Sequence, residues 1–173
     1  MKLFLIGYMG CGKSSLGRRL ARRLAIDFID MDKAIEAEAE MTIPQIFATE
    51  GEESFRKRER EMISKLGSTE GDRIIATGGG APCREGNLEL INSFGASIYL
   101  KVPPKILVER LCRHKEKRPL ITGKSDEEVA EFVNRSLAER EVYYNRASMV
   151  IDCAGRSDEY IVEHLYNFLR YNR

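Results

Sequence analysis

The sequence predicts an α/β protein built in three layers, a five-stranded parallel sheet between two layers of helices. Two observations carry this. Short apolar, strand-like runs alternate with helical patterns from one end of the chain to the other. The first of these runs, LFLI (3–6), leads straight into GYMGCGKSS (7–15), a glycine-rich turn that opens onto a helical pattern. No repeat, low-complexity segment or linker divides the 173 residues, and that length suits one domain over 1–173.

The first strand is expected over 2–6. A helix follows over about 13–25, where Leu16, Leu20 and Leu24 form a buried stripe and arginines take the outer face. A short strand is expected over 27–30, then two helical pieces. The second opens on Thr42 as N-cap, with Pro44 in the first turn, where a missing N–H costs nothing. A long helix over about 52–66 sets Phe55, Met62, Ile63 and Leu66 on one face. The third strand, 73–76, ends in Thr77-Gly78-Gly79-Gly80. A helix over about 85–93 comes next, then a strand over 96–102 closed by Pro103 and Pro104, then a helix ending near Cys112. RHKEKRPLITGK (113–124) is charged and aperiodic and reads as a mobile loop. Ser125 and Glu128 make a capping box for a helix reaching about 145. A last strand (148–152) and a last helix (158–171) complete the chain. The helices of 33–66 and the loop 113–124 read as insertions on one core.

Composition narrows the function. Apolar residues make up 43% and charged residues 32%, which is the balance of a folded, soluble chain. Lys and Arg number 28 against 27 Asp and Glu, a net charge of +1. That lacks the basic footprint of a nucleic-acid binder. No apolar run nears the roughly 18 residues of a membrane span, so neither nucleic acid nor membrane is an expected partner. Cys11, Cys83, Cys112 and Cys153 form no C-x-x-C pair and have no histidine cluster beside them, which argues against a zinc site or a disulfide framework. Unpaired cysteines and an N-terminus unlike an export signal lead to an expected cytoplasmic location. His114 and His164 are isolated and read as surface residues.

Gly7-x-x-x-x-Gly12-Lys13-Ser14 matches the Walker A pattern between a strand and a helix. Glycines let the backbone wrap so that the N–H groups of Gly10, Cys11, Gly12, Lys13, Ser14 and Ser15 can face phosphate oxygens. The helix adds the positive end of its dipole. Lys13 can reach the β- and γ-phosphates, and the Ser14 hydroxyl can ligate Mg²⁺. ATP with Mg²⁺ is therefore the expected ligand. The N-K-x-D guanine-reading motif is absent.

Asp30-Met31-Asp32 closes the second strand. Strand alternation would put both carboxylates on one side, facing the phosphate loop. One could hold the metal through water and the other orient, or take a proton from, an acceptor hydroxyl. Either could instead simply cap the next helix. On the long helix, Glu59 falls on the face of Phe55, Met62, Ile63 and Leu66, where a carboxylate needs a partner, and Arg56 is within helical reach. The neighbouring Lys57, Arg58 and Arg60 read as a solvated charge run. Gly78, Gly79 and Gly80 end a parallel strand, where ligands bind, and let one approach the backbone. Arg118 lies on the expected mobile loop, from which an arginine can lie across transferring phosphates. Arg140, with Tyr144 four residues on, ends the following helix. Two arginines and an aspartate fit a small acceptor bearing a hydroxyl and an anionic group. They do not name it: another kinase of the same fold, for gluconate or a nucleotide, and an ATP-binding regulatory module are the rival readings.

Together, GYMGCGKS, D-M-D at 30–32, IFATEGEESFRKRE at 46–59, TGGG at 77–80, RPLI at 118–121 and R-E-V-Y-Y at 140–144 resemble shikimate kinase, of the bacterial and plant type within the nucleoside-monophosphate-kinase-like P-loop group. They run in the family's order over nearly the whole chain. The resemblance implies a three-layer P-loop kinase that moves the γ-phosphate of ATP to the 3-hydroxyl of shikimate in aromatic amino-acid biosynthesis. It implies that 33–66 is a substrate-binding insertion and 113–124 a lid. By the same resemblance, Asp32 binds shikimate hydroxyls and serves as base or orienting group, and Asp30 sits near Mg²⁺ through water. Arg56 and Arg140 clamp the shikimate carboxylate, Glu59 positions Arg56, and Phe47 and Phe55 pack against the ring. Gly79 and its neighbours contact substrate by backbone. Arg118 is the lid arginine, acting with Lys13 on the transferring phosphoryl group. Arg110 stacks on adenine, and the turn around Arg156 completes that pocket. LCRHKEK, between Arg110 and Arg118, departs from the family's pattern. The protein is expected to act as a monomer.

Overall fold

In the computed structural model, which describes residues 1–117 and 120–171, strand β1 (Lys2–Ile6) runs through the middle of the molecule. Over Leu3-Phe4-Leu5 its side chains alternate between two cores. Leu3 and Leu5 join Leu16, Leu20, Leu107, Val133 and Leu165, while Phe4 joins Met31, Ile35, Ile46, Phe55 and Ile63. Strand β3 (Arg73–Ala76) repeats the division, with Ile74 in the first core and Ile75 in the second. Burial on both faces is what makes these strands read as unbroken apolar runs. Strands β2 (Asp27–Asp30), β4 (Ala96–Lys101) and β5 (Met149–Asp152) complete a parallel sheet in the order β2-β3-β1-β4-β5. The register pairs Asp30 with Ala76 and Ala76 with Leu5, so the segments leaving β2, β3 and β1 emerge side by side.

Helices α1 (Lys13–Leu24), α2 (Met31–Ala39), α3 (Ile43–Ser68), α4 (Asn87–Phe94), α5 (Pro104–Cys112), α6 (Asp126–Tyr144) and α7 (Asp158–Tyr171) cover the sheet. The N-cap read at Thr42 and the capping box read at Ser125 are both present, and the structure makes the first a full capping box as well. Thr42 and Gln45 cap α3, with Pro44 in its first turn, and Ser125 and Glu128 cap α6 at 2.7 and 3.2 Å. The helix expected from about 52 is the second part of α3, whose first part begins at Ile43; Gly51 (φ 84°, ψ 172°) breaks the run between them. Helix α4 starts later than expected because Ala81–Cys83 forms a 3₁₀ turn first and Gly86 (φ 74°) leads into the helix.

The described parts of 113–124, residues 113–117 and 120–124, make contacts that their lack of period does not suggest. Lys115–Lys117 is a 3₁₀ turn. Ile121 is fully buried in the same core as Val129 and Val133. Lys115 Nζ donates to Lys124 O (3.0 Å) and to Asp126 Oδ1 (2.6 Å), and Thr122 Oγ1 donates to Lys115 O (3.1 Å). One apolar side chain and one lysine thus tether the segment to the start of α6. The four cysteines are free, and His114 and His164 are exposed. Among the described residues no helix is long and apolar enough to cross a membrane.

Candidate active site

The phosphate loop leaves β1 at Gly7 and closes with Cys11 N donating to Tyr8 O (3.2 Å). Gly10 (φ 82°) and Gly12 (φ 99°) take left-handed backbone that other residues adopt at a cost. Gly12 O accepts the first bond of α1, from Leu16 N at 2.9 Å, and the first turn of α1 carries no acidic side chain to offset its dipole. Lys13 Nζ folds back over the loop, donating to Gly7 O (2.7 Å) and Tyr8 O (3.2 Å). Cys11 is buried and Ser15 exposed. Arg110, from α5, lies across the loop with Nη1 donating to Gly10 O at 3.2 Å.

The two aspartates differ from the sequence expectation in one respect. They do not alternate along a strand, because β2 ends at Asp30 and α2 begins at Met31. Asp30 caps α2, its Oδ1 accepting from Lys33 N at 3.4 Å, so the simple capping reading is realised. Its other oxygen accepts from Ser14 Oγ at 2.6 Å. The cap therefore holds a carboxylate against the hydroxyl at the mouth of the phosphate loop. Asp32 lies in the first turn of α2 and reaches the end of β3 instead. Burial pushes its carboxyl above the usual aspartate range; Asp30 adds to this and Lys13 opposes it.

Each of the three glycines after β3 backs onto a different polar group. A methyl on Gly78 would lie 2.7 Å from Asp32 Oδ1 and 3.0 Å from Glu59 Oε1. On Gly79 it would lie 3.7 Å from Arg140 Nη1, and on Gly80 3.1 Å from Arg56 Nη1. None of the three glycines has a left-handed φ, so space and not backbone freedom is what they supply. Elements α2, α3 and α6 thus meet at one run of bare backbone.

Glu59 is 1% exposed on the apolar face of α3, and its Oε2 accepts from Arg56 Nη1 at 2.7 Å. Burial pushes its carboxyl up, against the pull of Arg56. The other edge of the Arg56 guanidinium, Nε and Nη2, is taken by Glu52 Oε1 at 3.1 and 3.0 Å. Arg84 Nη2 donates to the same Glu52 oxygen. Glu52 is held below the usual range by these two arginines, Arg56 first. Phe47 and Phe55 pack with their rings tilted by 38° and 4.8 Å between centroids, beneath the Arg56 guanidinium, which lies 5.9 and 5.3 Å from them. Phe55 is buried; Phe47 is exposed.

Sequence reasoning missed several neighbours of this site. Glu52 had a signal, its spacing four residues before Arg56. Arg60 was read as solvated, yet its Nη1 donates at 2.8 Å to Asn87, a buried residue whose Nδ2 in turn donates to Ala81 O at 2.9 Å. That chain pins the turn after the glycines to α3. Tyr8 gives no signal in the sequence, yet Arg140 lies over its ring at 5.4 Å. Tyr144, which the sequence places four residues after Arg140, donates its hydroxyl to Gly79 O at 2.5 Å.

On the expected adenine side, the Arg156 guanidinium is exposed and lies over Tyr160 at 5.3 Å. Arg110 and Arg156 both act on Cys153, whose thiol burial pushes up to about 12 while the two arginines oppose the shift. Arg118, the expected lid arginine, and Pro119 lie outside the described residues.

The family model described as shikimate kinase matches residues 9–170. The chain belongs to the shikimate kinase family. Among curated members of that family, the shikimate kinase of Azobacteroides pseudotrichonymphae is 43% identical over 164 residues, covering 95% of this chain and 96% of its own. The crystal structure of shikimate kinase from Bacteroides thetaiotaomicron matches with a TM-score of 0.91 at 36% identity, over 98% of both chains. Shikimate kinase from Acinetobacter baumannii, solved in complex with shikimate, matches at 0.85 and 30% identity over 99% of this chain and 94% of that one. The five-stranded parallel sheet and its helices are thus the P-loop kinase fold of shikimate kinase.

Proposed function

We propose that this protein transfers the γ-phosphate of ATP to the 3-hydroxyl of shikimate, giving shikimate 3-phosphate and ADP for aromatic amino-acid biosynthesis. The observation that carries the reading is the run Gly78-Gly79-Gly80, which has Asp32, Arg140 and Arg56 packed against it in turn. Backbone without side chains leaves room for a ring. Two guanidiniums suit its carboxylate, and an aspartate suits its hydroxyls.

The phosphate loop holds the ATP phosphates by its N–H groups and the α1 dipole. Lys13 swings from the carbonyls of Gly7 and Tyr8 to the β- and γ-oxygens. Ser14 and Asp30 offer only hard oxygen donors, the set that suits Mg²⁺, which keeps waters and binds through one or two protein oxygens plus phosphates. Mg²⁺ held there supplies charge neutralisation on the phosphate oxygens. Asp32 orients the attacking hydroxyl or takes its proton. Arg56, set by Glu59 on one edge and Glu52 on the other, clamps the carboxylate with Arg140. Phe47 and Phe55 flank the ring. Arg118 closes over the phosphates and excludes water, and Arg110 and Arg156 border the adenine. In this reading 1–173 is one domain, with 33–66 as substrate-binding insertion and 113–124 as lid. All the groups named come from one chain, so a monomer suffices, and the free cysteines agree with the cytoplasm.

The test is ADP release by purified protein with ATP and Mg²⁺, with and without shikimate, and with gluconate, quinate and a nucleoside monophosphate as rivals. Release stimulated by shikimate alone is the expected outcome. Turnover with another acceptor and none with shikimate would leave the phosphate loop standing and overturn the roles of Arg56, Arg140 and Asp32.

A further inference from the structure

Tyr8 belongs to the phosphate loop but faces the acceptor side. It is 1% exposed, and its hydroxyl lies 2.5 Å from Ser136 Oγ. Ser136 Oγ donates to Phe132 O at 2.6 Å, which makes Tyr8 the donor to Ser136. Four residues beyond Ser136, Arg140 carries its guanidinium over the Tyr8 ring at 5.4 Å. That distance is within the reach of a cation–π contact. Four residues beyond Arg140, Tyr144 donates to Gly79 O and packs on Tyr99 at 5.0 Å between centroids. Ser136, Arg140 and Tyr144 share one face of α6 because residues four apart do so. Arg140 therefore sits between the ring of a phosphate-loop residue and the glycine run. A free arginine side chain has large rotamer entropy, and a seat of this kind reduces what is lost when it binds an anion.

We propose that Tyr8 is a positioning residue for Arg140. Its ring seats the guanidinium in the acceptor site, and its hydroxyl fixes α6 to the phosphate loop at Ser136. The acceptor's carboxylate is then read by a group that rests on the ATP-binding loop itself. This rests on the proposed role of Arg140 as a partner of the shikimate carboxylate.

The experiment compares the full chain with Tyr8→Phe, Tyr8→Leu, Arg140→Ala and the Tyr8→Leu/Arg140→Ala pair, measuring shikimate KM, ATP KM, kcat and melting temperature. Tyr8→Phe keeps the ring but gives up the bond to Ser136, so it should lower the melting temperature while holding shikimate KM within about twofold of the parent; an unchanged melting temperature would overturn the hydroxyl's part. Tyr8→Leu removes the ring and should raise shikimate KM about tenfold, with ATP KM changed by less than about twofold. In the Arg140→Ala background Tyr8→Leu should add nothing, because its effect runs through Arg140. An equal effect in both backgrounds, or an ATP KM that rises as far as the shikimate KM, would overturn the proposal and leave Tyr8 as loop packing. An unchanged shikimate KM in Arg140→Ala would instead overturn the carboxylate role of Arg140. Should Tyr8→Leu not fold, Tyr8→Met fills more of the same volume without a ring and carries the same expectations.

Discussion

Arg56 and Glu59 meet at 2.7 Å across one turn of α3, the carboxylate buried and the guanidinium 24% exposed. The pair joins stability to acceptor binding. Burial holds Glu59 above its ordinary value, so the folded state binds its proton more tightly than the unfolded chain. Its contribution is fully present below the unfolded value and is lost as pH rises through the higher folded value. Thermal melts of the parent and Glu59→Gln from pH 4 to 8 should show the parent losing ground to the variant as pH rises. Parallel curves would rule this out. Shikimate KM should rise about tenfold in the variant, because a charge-assisted hydrogen bond on Arg56 is weakened.

Asp32 is the carboxylate nearest the glycine run, and Asp32→Asn should reduce kcat by about a hundredfold or more. ATP affinity, measured separately by nucleotide titration, should change by less than about twofold, because Lys13 and the loop N–H groups are untouched. An unchanged kcat would remove Asp32 from the chemistry.

Gly78→Ala places a methyl 2.7 Å from Asp32 Oδ1 and 3.0 Å from Glu59 Oε1. Both carboxylates are held by their own helices, so they must move out of place. Turnover of shikimate should fall about a hundredfold, the scale of a displacement near 1 Å, while nucleotide binding persists. Turnover close to that of the parent would mean the site relaxes around the methyl.

Arg84 shares the Glu52 carboxylate with Arg56. Arg84→Ala leaves Glu52 to draw on Arg56 alone and should raise shikimate KM about two- to fivefold. Both partners are exposed, so the effect should shrink in high salt. A salt-independent change would point to packing and not to charge.

The strand–helix alternation, the phosphate loop and both helix caps were legible because each is written in neighbouring residues. The aspartate pair was half legible. Strand alternation stops at Asp30, because capping by that residue starts a helix at Met31 and leaves Asp32 beside Gly78. Arg60 looked like one more charge in RKRERE, because its partner Asn87 lies 27 residues on and is buried only once α4 packs. Tyr8 carried no signal, since Ser136 is 128 residues away and comes alongside only through the order of the sheet. Pairs set by helical spacing, such as Arg56 with Glu59, could be read in sequence; pairs that meet only through the order of the sheet could not.

The face of α6 that carries Ser136, Arg140 and Tyr144 also sets where the chain tolerates changes in length. Ile121 and the Ser125 cap set the register of α6, so a change of length upstream of them leaves that face in place. A single deletion between Ser125 and Ser136 turns the face by about 100° and parts it from Tyr8, the glycine run and Tyr99 at once. Homologues should therefore differ freely in the length of the segment before α6 and keep the count of residues within it.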